Sequence, residues 1–238
     1  VNITILIGTC DKYQFLWKDF VYLFDKYTQN EFSNIRKVFM SETRSESIDG
    51  YEFFTPGKIP YSNALIQLLD TVDTDYVLWM QEDYFLSRYI PITQFEKYFE
   101  YVVSNSVDRF QVECPTLMES TGVPVLNEFI TKGDSLYRLN QDSRFSINMQ
   151  ASIWNVEFFK SILIPNESPW QLEEWGSRRA NTRPHHLIHH VIPNISMWYH
   201  QAMVRGKRTD GYWLSKKVVS MERDMEIGEF ERRVFNPI

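Results

Sequence analysis

Asp75-Tyr76-Val77-Leu78-Trp79-Met80-Gln81-Glu82-Asp83-Tyr84-Phe85 is the stretch that decides how this chain is read. Its apolar and aromatic run is unbroken by polar alternation, which predicts a strand buried on both faces of an α/β sheet. Two adjacent acids end it. Carboxylates gathered at the carboxyl end of a buried strand are costly to desolvate, so a cation, an arginine or a substrate normally answers them. A strand simply running out into a charged turn is the alternative, and the local pattern does not separate the two.

Upstream, the chain alternates strand and helix. Ile3 to Ile7 is a β-branched apolar run, with Gly8-Thr9-Cys10-Asp11 as its exit loop. From Lys12 to Tyr27, Phe15, Leu16, Phe20, Leu23, Phe24 and Tyr27 recur at helical spacing, and Ile35 to Met40 reads as a second strand ending at Ser41-Glu42. This is a β-α-β unit, whose crossover is expected to be right-handed and whose ligand side is expected at the carboxyl ends of the strands. A short strand around Phe53-Phe54 follows. The next helix buries Ala64, Leu65, Leu68, Leu69 and Val72 and leads into the 75–85 stretch.

Downstream, Thr93 and Glu96 have capping-box spacing, at the start of a helix expected to bury Phe95, Tyr98, Phe99, Val102 and Val103. Arg109 to Cys114 and Ser135 to Leu139 read as strands separated by a loop from Pro115 to Gly133. From Phe145 to Ile153 apolar residues alternate with Ser146, Asn148, Gln150 and Ser152, the period of a strand. Its amide-rich face either meets solvent or lines a polar groove. After a short helix from about Asn155 to Leu163, Ser168 and Gln171 form a second capping box with Pro169 at the first helical position. That places Glu173 and Glu174 in the first turn. A strand from Met197 to Val204 precedes Arg205-Gly206-Lys207-Arg208, and the last twenty-odd residues are charged and weakly periodic.

The composition fits one domain. The 238 residues, 43% hydrophobic and 16% aromatic, are enough for a single sizeable core. A net charge of −6 leaves no basic footprint for nucleic acid or an anionic membrane. Two cysteines, Cys10 and Cys114, make neither a disulfide framework nor a four-ligand zinc site, so a reducing, cytosol-like compartment is expected. No apolar run approaches the ~20 residues of a membrane span, and Val1 onward runs into a strand without a signal-peptide pattern; a soluble protein is expected, one that can still serve a membrane-linked acceptor.

Glu82 and Asp83 offer hard oxygen ligands suited to Mg²⁺ or Mn²⁺ shared with two phosphates. Successive helical residues point about 100° apart, so only one of Glu173 and Glu174 can face a site, where an ionised carboxylate can take a proton from a hydroxyl. An ordinary acidic helix start is the competing reading. His185 with His189, and His186 with His190, have the i,i+4 spacing of paired metal ligands on a helix, but no Glu follows the first His as in zinc proteases. His200 is the better metal candidate, with Arg205, Lys207 or Arg208 balancing phosphate charge; a solvated basic turn competes. No Gly-rich phosphate loop, Gly-x-Ser-x-Gly elbow or Cys/His pairing occurs, which argues against dehydrogenases, P-loop kinases and α/β-hydrolases.

Taken together, Thr9-Cys10-Asp11, Trp79-Met80-Gln81-Glu82-Asp83-Tyr84-Phe85, Asn148-Met149-Gln150-Ala151-Ser152-Ile153-Trp154 and Pro169-Trp170-x-Leu172-Glu173 resemble a GT-A glycosyltransferase, in particular small enzymes of bacterial surface-polysaccharide loci and large algal (chlorella) viruses. The resemblance runs from residue 3 to about 208. It implies an α/β, Rossmann-like GT-A domain with a central mixed sheet flanked by helices, residues 1–107 binding a nucleotide sugar and 108–238 the acceptor. It implies transfer of a sugar from a nucleoside diphosphate (UDP first among donors) to a glycan hydroxyl with inversion. Thr9, Asp11, Ser41 and Glu42 would hold the nucleoside, and Asp83, Glu82 and His200 a Mn²⁺ or Mg²⁺ ion. Arg205 and Lys207 would steady the leaving group, Glu173 would be the base, and Asn148, Gln150 and Trp170 would touch sugar or acceptor. The family's Asp-x-Asp motif reads Gln81-Glu82-Asp83 here, so its first acid is missing. The expected setting is the cytoplasm, of a host if the source is viral, in polysaccharide biosynthesis. A sugar-phosphate nucleotidyltransferase and a non-catalytic nucleotide-sugar or glycan-binding module are the alternatives; the first would want a basic Gly-rich loop after the opening strand.

Overall fold

The structure is a computed structural model that describes residues 1–112 and 145–182 together with strand residues 128–129, 136–138, 187–190, 199–204 and 207–208. Cys114, His185, His186, Arg205 and the charged C-terminal stretch lie outside the described residues, as do the side chains of His189, His190 and His200.

Strand β1 (Thr4–Gly8) is buried along its whole length, and β2 (Lys37–Met40) and β4 (Tyr76–Gln81) nearly so. Such strands need cover on both faces, and the parallel arrangement supplies it. Alternate side chains go to opposite sides. Ile5, Ile7, Leu78 and Met80 pack with α1 (Gln14–Tyr27) and α3 (Ile92–Ser104). Leu6, Val77 and Trp79 pack with α2 (Tyr61–Leu69), α4 (Val156–Ile162) and α5 (Pro169–Asn181).

With β3 (Glu52–Phe54), β6 (Arg109–Gln111), β7 (Glu128–Phe129), β8 (Leu136–Arg138), β9 (Ser152–Asn155) and β10 (Leu187–His190), these strands form a nine-stranded sheet. Its order is β3-β2-β1-β4-β9-β6-β10-β8-β7. The β3-β2-β1-β4 part is parallel, and β9 inserts antiparallel between β4 and β6. From β1 the chain winds to β2 and β3 on one side and returns to β4 on the other, so a topological switch point falls at the carboxyl ends of β1 and β4. A second, two-stranded sheet pairs β5 (Tyr84–Leu86) with β11 (Tyr199–Gln201), and β12 (Met203–Val204) pairs with β13 (Lys207–Arg208).

Several expectations change in detail. The Thr93/Glu96 capping box does not form: α3 starts after Pro91, and the Ile92 N–H donates instead to Glu31 Oε2 at 2.8 Å. Phe15 and Val103 are 43% and 46% exposed rather than buried. Phe15 lies under the Arg208 guanidinium, 5.2 Å from the ring centre. His189 and His190 sit in a strand, so the helical spacing has no bearing on them. The second capping box is present as expected, but Glu173 falls at the fifth residue of α5, in its second turn and not its first. Residues 145–151 are irregular, with strand geometry only from Ser152, and the polar side of that stretch is buried: Ser146 and Ser152 have no exposed surface and Asn148 is 8% exposed. The solvent-facing reading is thereby overturned.

Gly8 ends β1 against the Trp79 ring. A Cβ added there would stand 2.3 and 2.6 Å from ring carbons of Trp79, itself fully buried. Gly8→Ala is therefore expected to cost about 1–3 kcal/mol through overpacking, read as a lower urea midpoint at unchanged slope.

Candidate active site

Strand register brings the site together. Gly8 lies opposite Met40 on one side and Gln81 on the other, so the next residues, Thr9, Ser41 and Glu82, emerge side by side at one sheet edge. The Thr9 N–H donates to the Met40 carbonyl at 3.0 Å and the Glu82 N–H to the Gly8 carbonyl at 3.3 Å, which ties the three exits together. Because β9 runs antiparallel with Ser152 opposite Trp79, residues 148–151 extend past the end of β4 to the same edge. Trp79 Nε1 fixes them by donating to the Met149 carbonyl at 3.1 Å.

A cavity of ≈520 Å³ opens here, lined among others by Thr9, Ser41, Glu42, Tyr61, Glu82, Asp83 and Trp170. Glu82 and Asp83 are 6% and 9% exposed. Burial, then the Asp83 charge, pushes the Glu82 carboxyl well above the usual carboxylate range, against a hydrogen bond from Thr9. Asp83 is pushed up to about 7 by burial, against hydrogen bonds from the Gln201 side chain and the Met203 backbone. Its Oδ1 is buried without a hydrogen-bond partner among the described residues. Two desolvated carboxylates, one with an orphaned oxygen, require a proton or a cation, and this donor set suits Mg²⁺ or Mn²⁺. Among the described residues no three His, Cys, Asp or Glu side chains gather into a metal cage.

On the β1–β2 side, Thr9 Oγ1 accepts from Trp17 Nε1 at 2.8 Å and Ser41 Oγ donates to the Arg44 carbonyl. Asp11 latches the loop after β2: its Oδ1 accepts from the Thr43 and Arg44 N–H groups at 3.0 Å each, and Oδ2 accepts from the Thr43 hydroxyl. Despite desolvation, those hydrogen bonds hold its carboxyl down at about 2. Glu42 Oε2 accepts from the Asp11 N–H at 3.2 Å, so Asp11 and Glu42 shape this wall by binding each other's loops.

On the α5 side, Trp170 is 77% exposed at the cavity rim. Glu174 points outward to Arg178 at 2.9 Å, and Glu173 turns inward, where its Oε1 accepts from the Met149 N–H at 2.8 Å. Burial raises the Glu173 carboxyl above its ordinary value, opposed by that N–H and by the charge of Arg109. Tyr61 connects the two acidic centres, for burial and then the charges of Glu173 and Glu82 push its hydroxyl well above the ordinary range. Asn148 and Gln150 meet Gln111 and Arg109 in a buried polar cluster beside Glu173. His200 lies opposite Phe85 in the β5–β11 pair, which brings its backbone to the strand that follows the acids, and Lys207 is exposed on β13.

Sequence reasoning missed Tyr61 and Arg109. Nothing in the pattern marks Tyr61, a first helical residue after a proline. Arg109 did leave a signal: an arginine opening a buried strand needs acceptors, and Gln111, Asn148 and Gln150 are amides of that kind.

No protein-family model and no curated protein matches this chain. Solved structures match its fold. S. aureus TarS residues 1–349 in complex with UDP-GlcNAc superposes with a TM-score of 0.55 at 11% identity over 98% of this chain and 70% of that one. A mannosyltransferase from Pyrobaculum calidifontis, PcManGT, in complex with GDP-Man and Mn²⁺, gives 0.54 at 10% identity over 90% of this chain and 60% of its own. An apo UDP-glucose pyrophosphorylase gives 0.57 at 8% identity over 94% and 99%. At such identities the likeness establishes the fold, a mixed sheet with flanking helices of the kind shared by GT-A glycosyltransferases and sugar nucleotidyltransferases.

Proposed function

We propose that this chain is a glycosyltransferase of GT-A architecture, which moves a sugar from a nucleoside diphosphate, with UDP the first expectation, to a hydroxyl of a glycan with inversion. The observation that carries the reading is the pair of buried carboxylates Glu82 and Asp83 at the switch point, in a cavity whose wall also holds Tyr61 and the start of α5 at Pro169 and Trp170; Glu173 lies farther along α5, turned inward onto the Met149 N–H. In this reading Asp83 Oδ1 and Glu82 hold a divalent cation, as PcManGT is seen with Mn²⁺. When bound, that ion neutralises charge on the diphosphate.

Thr9, Asp11, Ser41 and Glu42 form the nucleoside wall, and Arg205 with Lys207 balance the leaving group. Trp170 offers a ring face for a sugar at the rim, while Asn148 and Gln150 set polar contacts beside it. Glu173 is half-buried, so an acceptor hydroxyl can reach the carboxylate and surrender its proton there as the oxygen attacks the anomeric carbon. His200, on the strand paired with the one that follows the acids, would be a third cation ligand. Among the described residues no helix is long and apolar enough to cross a membrane, and the proposed setting is the cytoplasm, at the edge of a membrane-linked acceptor where polysaccharide is made. The narrower likeness to enzymes of bacterial surface-polysaccharide loci and algal viruses is part of the same proposal.

The pyrophosphorylase likeness gives a second reading, nucleotidyl transfer. Its weakness is the exit of β1, Gly8-Thr9-Cys10-Asp11-Lys12, which is neither glycine-rich nor strongly basic. Titrating the protein with a panel of sugar nucleotides, with and without Mn²⁺, tests both. The transferase reading expects metal-dependent binding of one donor and its slow hydrolysis without acceptor. Binding of no sugar nucleotide refutes it; formation of a nucleoside triphosphate from donor and pyrophosphate moves the assignment to the second reading; tight binding without turnover leaves a non-catalytic module.

A further inference from the structure

Arg109 is 1% exposed at the start of β6, where an unanswered charge would be prohibitive. Its Nη1 donates to the Ser146 carbonyl at 3.2 Å, and its Nη2 donates to Gln111 Oε1 at 2.8 Å and to Asn148 Oδ1. The guanidinium carbon lies over the Trp154 ring, 5.0 Å from its centre. The Asn148 Oδ1 that Arg109 holds also accepts from the Gln150 N–H at 3.3 Å, so the chain is pinned on both sides of Met149. This pulls 146–150 out of strand geometry and turns the Met149 N–H toward Glu173 Oε1, 2.8 Å away.

We propose that Arg109 is a positioning residue for Glu173: by gripping the Ser146 carbonyl and Asn148 it aims the Met149 N–H at the carboxylate. The inference rests on the transferase reading only for what Glu173 then does. Arg109 from the sheet acts on Glu173 by charge, and Tyr61 from α2 feels the charges of both Glu173 and Glu82. On α5 itself Glu174 is paired away with Arg178. Arg109 is thus the cation that opposes burial at this carboxyl.

The test is to follow the Glu173 side-chain carboxyl by ¹³C NMR against pH in the full chain, with Glu173→Gln to assign the signal. Arg109→Met removes the charge, and its midpoint is expected to rise by about one pH unit or more. Arg109→Lys keeps a charge without the fork and is expected to rise less. Should Arg109→Met not fold, Arg109→Gln serves instead: it removes the charge while its amide can still donate to Asn148, and it is expected to move the same midpoint up. A midpoint that stays put in the folded variants overturns the proposal, whatever happens to stability. Where transfer is measurable, its acid limb is expected to move with the midpoint. A midpoint that moves while the acid limb does not upholds the grip of Arg109 and removes Glu173 from the role of base, so the two failures are told apart.

Discussion

Glu173→Gln is expected to lower the sugar-transfer rate by about 10²–10⁴-fold while leaving donor binding and the folded state intact, the loss typical of removing a general base. The substitution is close to isosteric, and the amide oxygen can still accept from the Met149 N–H that now meets Oε1 at 2.8 Å. Only the capacity to take a proton is lost. Burial raises this carboxyl above its ordinary value, which makes it a stronger base than a surface glutamate, while the Met149 N–H and Arg109 act against that rise. Wild-type kcat is accordingly expected to fall on the acid side at a higher pH than an ordinary glutamate would set. Glu174→Gln is the control: its partner is Arg178 on the outer face, and transfer is expected to be unchanged. A Glu173→Gln protein that transfers at the wild-type rate removes this residue from the chemistry.

The parts of the fold that were legible in sequence are those fixed by local periodicity. β1, β2 and β4 are buried on both faces and read as unbroken apolar runs, and α1 and α2 show their buried stripes at helical spacing. Ser168 and Gln171 were legible because a capping box satisfies itself within four residues. The Thr93/Glu96 pair looked the same, yet the start of α3 is satisfied by Glu31, sixty-one positions away in sequence from Ile92, and no local pattern reports such a partner. The 145–151 stretch fails for a related reason. Its alternation is genuine, since Ile147, Met149 and Ala151 are all buried, but the polar residues between them are drawn inward by a buried arginine on another strand. Helical spacing points Phe15 to the core because it cannot see Arg208 coming to cover the ring from the far end of the chain. The site divides in the same way. The acids after β4 announced themselves, whereas the placing of the Met149 N–H against Glu173 depends on β9 entering the sheet antiparallel, a pairing between distant segments.

Asp83→Asn is expected to abolish the response to Mn²⁺ and at the same time to make the metal-free protein more stable at neutral to alkaline pH, a combination that a merely damaged fold would not give. Asp83 ordinarily titrates at 3.8 and is held at about 7 in the folded chain by burial. The folded state therefore binds a proton that the unfolded state has released between these two values. Stability from this group is fully present below the unfolded value and is lost as pH rises through the folded one. Across roughly pH 4 to 7 the metal-free wild type is thus expected to lose on the order of 2 kcal/mol from this carboxyl, discounted for its coupling to Glu82. A divalent cation favours the ionised form, so stabilisation by Mn²⁺ is expected to grow over the same pH range. The neutral amide of Asp83→Asn flattens the pH slope, removes the metal's effect on the melting temperature and weakens metal-dependent donor binding together. Melting curves at pH 5 and pH 8, with and without Mn²⁺, measure all of this except donor binding, which the sugar-nucleotide titration supplies. An Asp83→Asn protein whose melting temperature still rises with Mn²⁺ as the wild type's does would place the cation elsewhere, and Gln81, where the usual motif carries its first acid, would then stand at the end of a strand that holds no metal.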